Sequence, residues 1–270
     1  MSEAGILAIL SGTTGAAACL RISSLASRIL GYPPITVLHV RADPASTILP
    51  SEEVLGARDI AAMNRREAAE DAALAELVAH WDQAGATWRS VAGYEVEEIR
   101  NVPRDTRLVV LSHPVAAPPG HRQALEAVLF GARLPVLMVP PATPVPIPSF
   151  CRHLAIGWRD SVITRRALDT FAPFIESADK VTVIAVVEGE DSSIQSARTA
   201  FGSRRSDATF KVADPAGAGT GHVLLAAAGR AGADTLLIGA HRHGVLQQWI
   251  FGTVTQAVMR EGPMPLLMSS

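Results

Sequence analysis

The sequence predicts an α/β protein built as two tandem, doubly wound parallel-sheet domains. Three observations lead there. Short apolar runs alternate with helical stretches along the chain, the pattern of βαβ units with right-handed crossovers. The order of those runs repeats: 6–10, 35–40, 109–111 and 135–138 are answered by 153–157, 181–186, 236–238 and 265–268. Between the two sets lies PPATPVPIPS, residues 140–149, in which five of ten residues are proline. Such a stretch forms neither helix nor central strand and reads as a semi-rigid linker. The expected layout is a first domain over 1–140, a linker over 141–150 and a second domain over 151–270.

Taken in order, Ile6-Leu-Ala-Ile-Leu10 is the first strand, ending at Ser11-Gly12. Residues 16–30 have helical spacing in Leu20, Leu25 and Ile29 and stop at Gly31. Pro33-Pro34 breaks the chain before a second strand over 35–40. A long Ala- and Glu-rich helix is expected over 51–84, with Leu74, Leu77, Val78 and Trp81 as its apolar face. A third strand over 87–92, a short helix over 95–100 and a fourth strand over 108–111 follow. The Pro-rich loop SHPVAAPPGHR leads to a helix over 123–130 and a fifth strand over 135–139. In the second half the strands are expected at 153–157, 181–186, 209–212, 235–238 and 265–268. Helices are expected at 192–202 and 222–230, and a last one opens at Gly252.

Composition narrows the function. A chain of 270 residues has room for two proper cores. With 48% hydrophobic but 5% aromatic residues, those cores are made of Ala, Val, Leu and Ile. The 24 basic and 26 acidic residues leave a net charge of −2, with no basic excess directed at nucleic acid or an anionic membrane. No apolar run approaches the roughly 20 residues of a membrane span. MSEAGILAIL lacks the basic region and long apolar stretch of a secretion signal. Two cysteines, Cys19 and Cys151, are too few for a disulfide framework, so the reduced cytoplasm is the expected setting.

The stretch most suggestive of chemistry runs from Ala233 to Ser270. An apolar strand, Thr235-Leu-Leu-Ile238, ends at Gly239, a loop follows, and Gly252-Thr253 opens a helix. A glycine at the carboxyl end of a parallel strand allows close approach to the backbone. A helix opened by Gly-Thr offers free N–H groups, a positive dipole end and a hydroxyl, all suited to a phosphate. The same glycines also serve as plain turn residues.

Here the sequence resembles the universal stress protein family, whose nucleotide-binding members carry G-x2-G-x9-G-[ST] between the fourth strand and the last helix. Gly239, Gly252 and Thr253 match the first glycine, the third glycine and the hydroxyl; Arg242 stands at the second glycine, and Gly244 lies two residues later. GWRDSVITRRAL, from Gly157, resembles a subgroup whose first strand ends in G-W-[KR]-D-[ST]. The resemblance implies a Rossmann-like, adenine nucleotide alpha hydrolase-like fold. It also implies ATP or AMP as ligand, with Mg accompanying the nucleotide. The candidate contacts are Asp160, Gly239, His241, Arg242, Gly244, Gly252 and Thr253. Single-domain members pair through their last strands, so the tandem is expected to be a pseudo-dimer within one chain, itself open to homodimer formation.

Each candidate has a plainer alternative. Asp160 or Ser161 caps the following helix. His241 and His243 have no accompanying ligands of metal-site spacing, and no metal site is expected. Trp158 and Trp249 serve core packing. Arg242 either faces a phosphate or plugs the loop, and the expectation adopted is the phosphate-facing cation. In the first half, Ser11-Gly12-Thr13 has no acid after the first strand, and the loop at 112–121 lacks G-x2-G, so that half reads as degenerate. No nucleophile–base pattern, paired carboxylates or Walker-type loop appears. The expected role is a stress-response binding or signalling module. The alternatives are a nucleotide-independent adaptor and a weak nucleotide hydrolase.

Overall fold

A computed structural model describes residues 5–41, 57–112, 124–140, 142–187, 193–202, 204–240 and 262–270. Ten strands form one sheet in the order β3-β2-β1-β4-β5-β10-β9-β6-β7-β8. In chain order they are β1 Ile6–Ile9, β2 Ile35–Arg41, β3 Thr87–Ala92, β4 Leu108–Ser112, β5 Val136–Val139, β6 His153–Trp158, β7 Lys180–Val186, β8 Thr209–Ala213, β9 Thr235–Gly239 and β10 Leu266–Ser269. Every neighbouring pair is parallel except β5 with β10. The described helices are α1 Ala16–Ile29, α2 Ala57–Ala79, α3 Glu95–Arg100, α4 Val162–Thr170, α5 Ala172–Ser177, α6 Ser193–Phe201 and α7 Thr220–Ala231. A π-helical segment, Ala127–Ala132, precedes β5.

The inner strands are apolar on both faces because both are covered. On one face Ile6, Ala8, Leu137, Ile156, Leu237 and Leu267 pack beneath α1, α2, α4, α5 and α6. On the other, Leu7, Ile9, Met138, Ile184, Leu236 and Ile238 pack beneath α3, the π segment and α7. Every residue of the edge strands β3 and β8 is exposed or half-buried, as in strands flanked on one side only.

Each half has strands in the order 3-2-1-4-5, and the halves meet at their fifth strands. There Leu266 pairs with Met138, Leu267 with Leu137 and Met268 with Val136. The expected pseudo-dimer, joined through its last strands, is what the sheet contains. Ser270 extends the junction by donating through Oγ to the Leu129 carbonyl at 2.5 Å.

Three boundaries differ from expectation. The helix over 51–84 is described as α2, Ala57–Ala79, and the turn after it closes on Gly85 at φ 76°. The helix over 123–130 gives way to the π segment, which ends as Arg133 turns to φ 55° and Leu134 N donates back to the Val128 carbonyl. The proline run has neither helix nor strand over 142–149, yet Ile147 and Phe150 pack onto the core, Phe150 edge-on to Phe174 at 6.4 Å.

Leu137 and Leu267 are both fully buried at the junction. Leu267→Ala is expected to cost about 2–5 kcal/mol, the range for a buried leucine whose site cannot collapse. Urea unfolding checks this, and a loss below about 1 kcal/mol would show that the junction is not part of the common core.

Candidate functional site at the carboxyl ends of β6 and β9

In the second half the chain order reverses between β9 and β6, and such a reversal opens a crevice at the carboxyl ends of the strands. Two glycines stand at its base. A Cβ on Gly157 of β6 would lie 2.8 Å from Leu224 Cδ2 of α7 and 3.0 Å from Ile238 Cγ2. A Cβ on Gly239 would lie 3.1 Å from Ile163 Cγ2 and 3.2 Å from both the backbone N and Oγ1 of Thr164. The two helices therefore close onto the two strands from opposite faces: a Cβ would press on the ends of the Leu224 and Ile238 side chains at Gly157, and on the backbone of Thr164 at Gly239. The Cβ face of Gly239 is filled by the first turn of α4. This close-packing role is distinct from the ligand approach expected of it.

The head of α4 is capped by Ser161, whose Oγ accepts from Thr164 N at 3.1 Å. Of the two expected caps, Ser161 does the capping and Asp160 does not. The Asp160 carboxylate accepts from Arg165 Nε at 3.1 Å and Nη2 at 2.7 Å. The Arg165 hydrogen bonds hold that carboxyl below its ordinary range, aided by Ser196. Arg165 also lies over the Trp158 ring at 5.6 Å, and the indole Nε1 donates to Ser196 Oγ at 3.2 Å. Trp158 is buried in the core, as the packing reading expects. Three arginines, 159, 165 and 166, stand exposed around this head.

Asp160 and Gly239 are thus on adjoining elements of one crevice. The other expected contacts, His241, Arg242, Gly244, Gly252 and Thr253, lie outside the described residues, as does Trp249. Sequence reasoning missed Thr164 and Ser196. The Ser161-to-Thr164 spacing could have marked Thr164 as cap partner. Ser196 had no local signal, because it meets Trp158 only through the fold.

The corresponding place in the first half is built differently. By sheet register, Ile6 stands where Leu154 does, so Ser11, Gly12 and Thr13 answer Arg159, Asp160 and Ser161. Ser11 Oγ donates to Glu95 Oε1 of α3 at 2.5 Å. Thr13 N donates to Glu70 Oε1 of α2 at 3.3 Å. Beside it, Asp71 accepts from Ser90 Oγ at 2.5 Å and lies 4.0 Å from Nε2 of His39. His39 is 2% exposed, stacks on Trp88 and donates through Nδ1 to the Leu10 carbonyl at 2.8 Å.

Thiol chemistry has no support here. Burial pushes Cys19 up to about 12, and burial with the Asp234 charge pushes Cys151 to about 12 as well. Among the described residues no group of three His, Cys, Asp or Glu side chains is placed to hold a metal ion. No described helix is long and apolar enough to cross a membrane.

Comparison with known proteins bears on this arrangement. Residues 216–270 match the model of the Universal stress protein family. They include α7, β9 and β10 and carry the Gly239–Thr253 sequence. A universal stress protein from Archaeoglobus fulgidus DSM 4304 superposes over 100% of this chain and 99% of its own, at 16% identity and a TM-score of 0.73. By sequence only the last segment matches that family, and the likeness over the whole chain is one of fold, a tandem of two α/β halves. A putative universal stress protein from Pseudomonas aeruginosa UCBPP-PA14 covers 99% of this tandem and 93% of its own chain, at 13% identity and a TM-score of 0.56. A universal stress protein in complex with cAMP covers 44% of the tandem and 96% of its own chain, at 16% identity and a TM-score of 0.38. No curated protein matches the sequence.

Gly239→Ala is expected to destabilise the tandem by about 1–3 kcal/mol, because its Cβ would force the first turn of α4 outward. Gly229→Ala in α7, where a Cβ would meet nothing within 4 Å, is expected to stabilise by about 0.5–1 kcal/mol. Thermal unfolding of the pair checks both signs, and equal effects would remove the packing account of Gly239.

Proposed function

We propose that the tandem is a stress-response binding module that holds one adenine nucleotide, ATP or AMP, at the carboxyl ends of β6 and β9. The observation that carries this reading is the reversal of strand order at those two strands, with β9 leading directly into the Gly239–Thr253 sequence. In this reading the helix opened by Gly252-Thr253 takes the phosphates on its N–H groups and hydroxyl. Arg242 adds a cation, and Mg accompanies ATP. Asp160 reaches the ribose or base when Arg165 yields. The excess of arginine around the head of α4 favours an anion there.

The nucleotide-independent adaptor stays as a second reading on two observations. Asp160 is already engaged by Arg165 and Ser196, and the Cβ face of Gly239 is already packed.

Titration calorimetry with ATP, AMP, cAMP and adenosine tests the proposal. One nucleotide per chain is expected. Gly252→Val combined with Thr253→Val is expected to abolish binding. Arg242→Ala is expected to weaken ATP about tenfold, roughly 1.4 kcal/mol, and adenosine hardly at all. If the natural chain takes no nucleotide and Arg242→Gly binds ATP tightly, the arginine is a plug and the adaptor reading holds.

A further inference from the structure

Between 62 and 73 the residues of α2 shielded from solvent are the carboxylates Glu67, Glu70 and Asp71; further on they include Leu74, Leu77 and Val78. The helix packs on β2 and β3. On β2, His39 and Arg41 share the face whose Ile35 and Val37 lie in one layer with Leu74. Two nitrogens there, Nε2 of His39 and Nε of Arg41, are buried with no hydrogen-bond partner among the described residues. The His39 ring stands between two oxygens. Nδ1 is 2.8 Å from the Leu10 carbonyl, and Nε2 is 4.0 Å from Asp71 Oδ1. A carbonyl and an ionised carboxylate only accept, whereas a neutral imidazole has one N–H and one lone pair. Either neutral tautomer therefore turns its lone pair on an oxygen. The imidazolium alone gives both nitrogens an acceptor.

We propose that His39 is an acid-strengthened clasp for α2: a proton on Nε2 draws Asp71 in from 4.0 Å and fastens the helix over β2 and β3. Ser90 Oγ, donating to Asp71 Oδ1 at 2.5 Å, already holds that carboxylate toward the sheet. Trp88 of β3 covers the ring, stacked at 6.2 Å. The charges around the ring are unequal. Burial and Arg41 oppose a proton on it, while Glu67, Glu70 and Asp71 favour one, and of the described groups Asp71 is the one within ion-pair reach. From β1 the ring meets only the Leu10 carbonyl. Arg89 of β3 is turned to the other face and paired with Glu98. The buried thiol of α1, Cys19, is pushed up to about 12 by burial and stays neutral. With α2 lifted, His39 would meet water in place of Asp71 and hold the proton less tightly. Closure therefore gains as pH falls through the histidine range and is lost as pH rises through it. The clasp stands whether or not the second half takes a nucleotide.

Hydrogen exchange of the full chain, followed from about pH 8 down to about pH 5.5, tests the clasp. Protection factors remove the pH dependence of exchange itself. Those of the amides from Leu74 to Val78, divided by those from Leu224 to Ala228 in α7, are expected to rise at least about tenfold on acidification in the natural chain. His39→Gln and Asp71→Asn are each expected to hold that ratio constant within about threefold. A constant ratio in the natural chain, or the same rise in either variant, would overturn the proposal. Should a variant fail to fold, ring-nitrogen resonances of the natural chain decide. At the acid end both nitrogens of His39 are expected to show the imidazolium signature, and a ring still neutral there would overturn the clasp.

Discussion

The antiparallel pairing of β5 with β10 is the constraint on which the rest of the structure depends. Each half alone would end in a short, apolar, fully buried-type strand with one unpaired edge. Such an edge is a template for aggregation. Joining the two edges satisfies both ladders and makes one sheet of the two halves. It also merges the layers above and below, so that α1 of the first half and α5 of the second pack against one another across the junction. The polar contact of Ser270 with Leu129 then fastens the end of the chain to the segment preceding β5.

That pairing has a consequence for function. Because it is antiparallel, the parallel strands of the two halves run in opposite directions. Their carboxyl ends, and the crevices those ends form, therefore open at opposite ends of the sheet. Each half therefore carries its own crevice. The junction asks only for apolar strands. It places no demand on the loops after β1 or β6.

The strands were legible because each is a short apolar run bounded by Gly, Pro or Ser. β3 was found to the residue, and most others within one. The π segment was not legible, since it depends on Leu134 reaching back to Val128 and on Arg133 accepting a left-handed conformation. Nor was α5, a single short turn set by the packing of Phe171 and Phe174 at 5.9 Å. At the candidate site the sequence pointed to the carboxyl end of β9 but gave no sign that the first turn of α4 packs against Gly239. Its neighbour Thr164 is distant in sequence, and nothing local predicts which helix will close on a strand. The same holds for Glu70, 57 residues from its partner Thr13. Charges on a long Ala- and Glu-rich helix look like a solvated face until the fold aims one of them.

The two halves show how one architecture can hold its shape while its chemistry changes. Both keep a loop, a helix and a returning helix after strands in matching register, but α1 is capped at Gly15, two residues later than the position that answers Ser161. In the second half the loop's own carboxylate, Asp160, is balanced by Arg165 one turn later, and a serine caps the helix. In the first half Ser11, Gly12 and Thr13 include no acid, and the first turn of α1, Ala16 to Cys19, includes no arginine. The loop is instead held by carboxylates from α2 and α3. Both arrangements satisfy the backbone of the turn, which is what the fold requires. They differ in the charge they bring to the loop. Stability and local charge are thus separable here: a hydrogen bond to the loop is needed in either half, whereas its charge is free to vary.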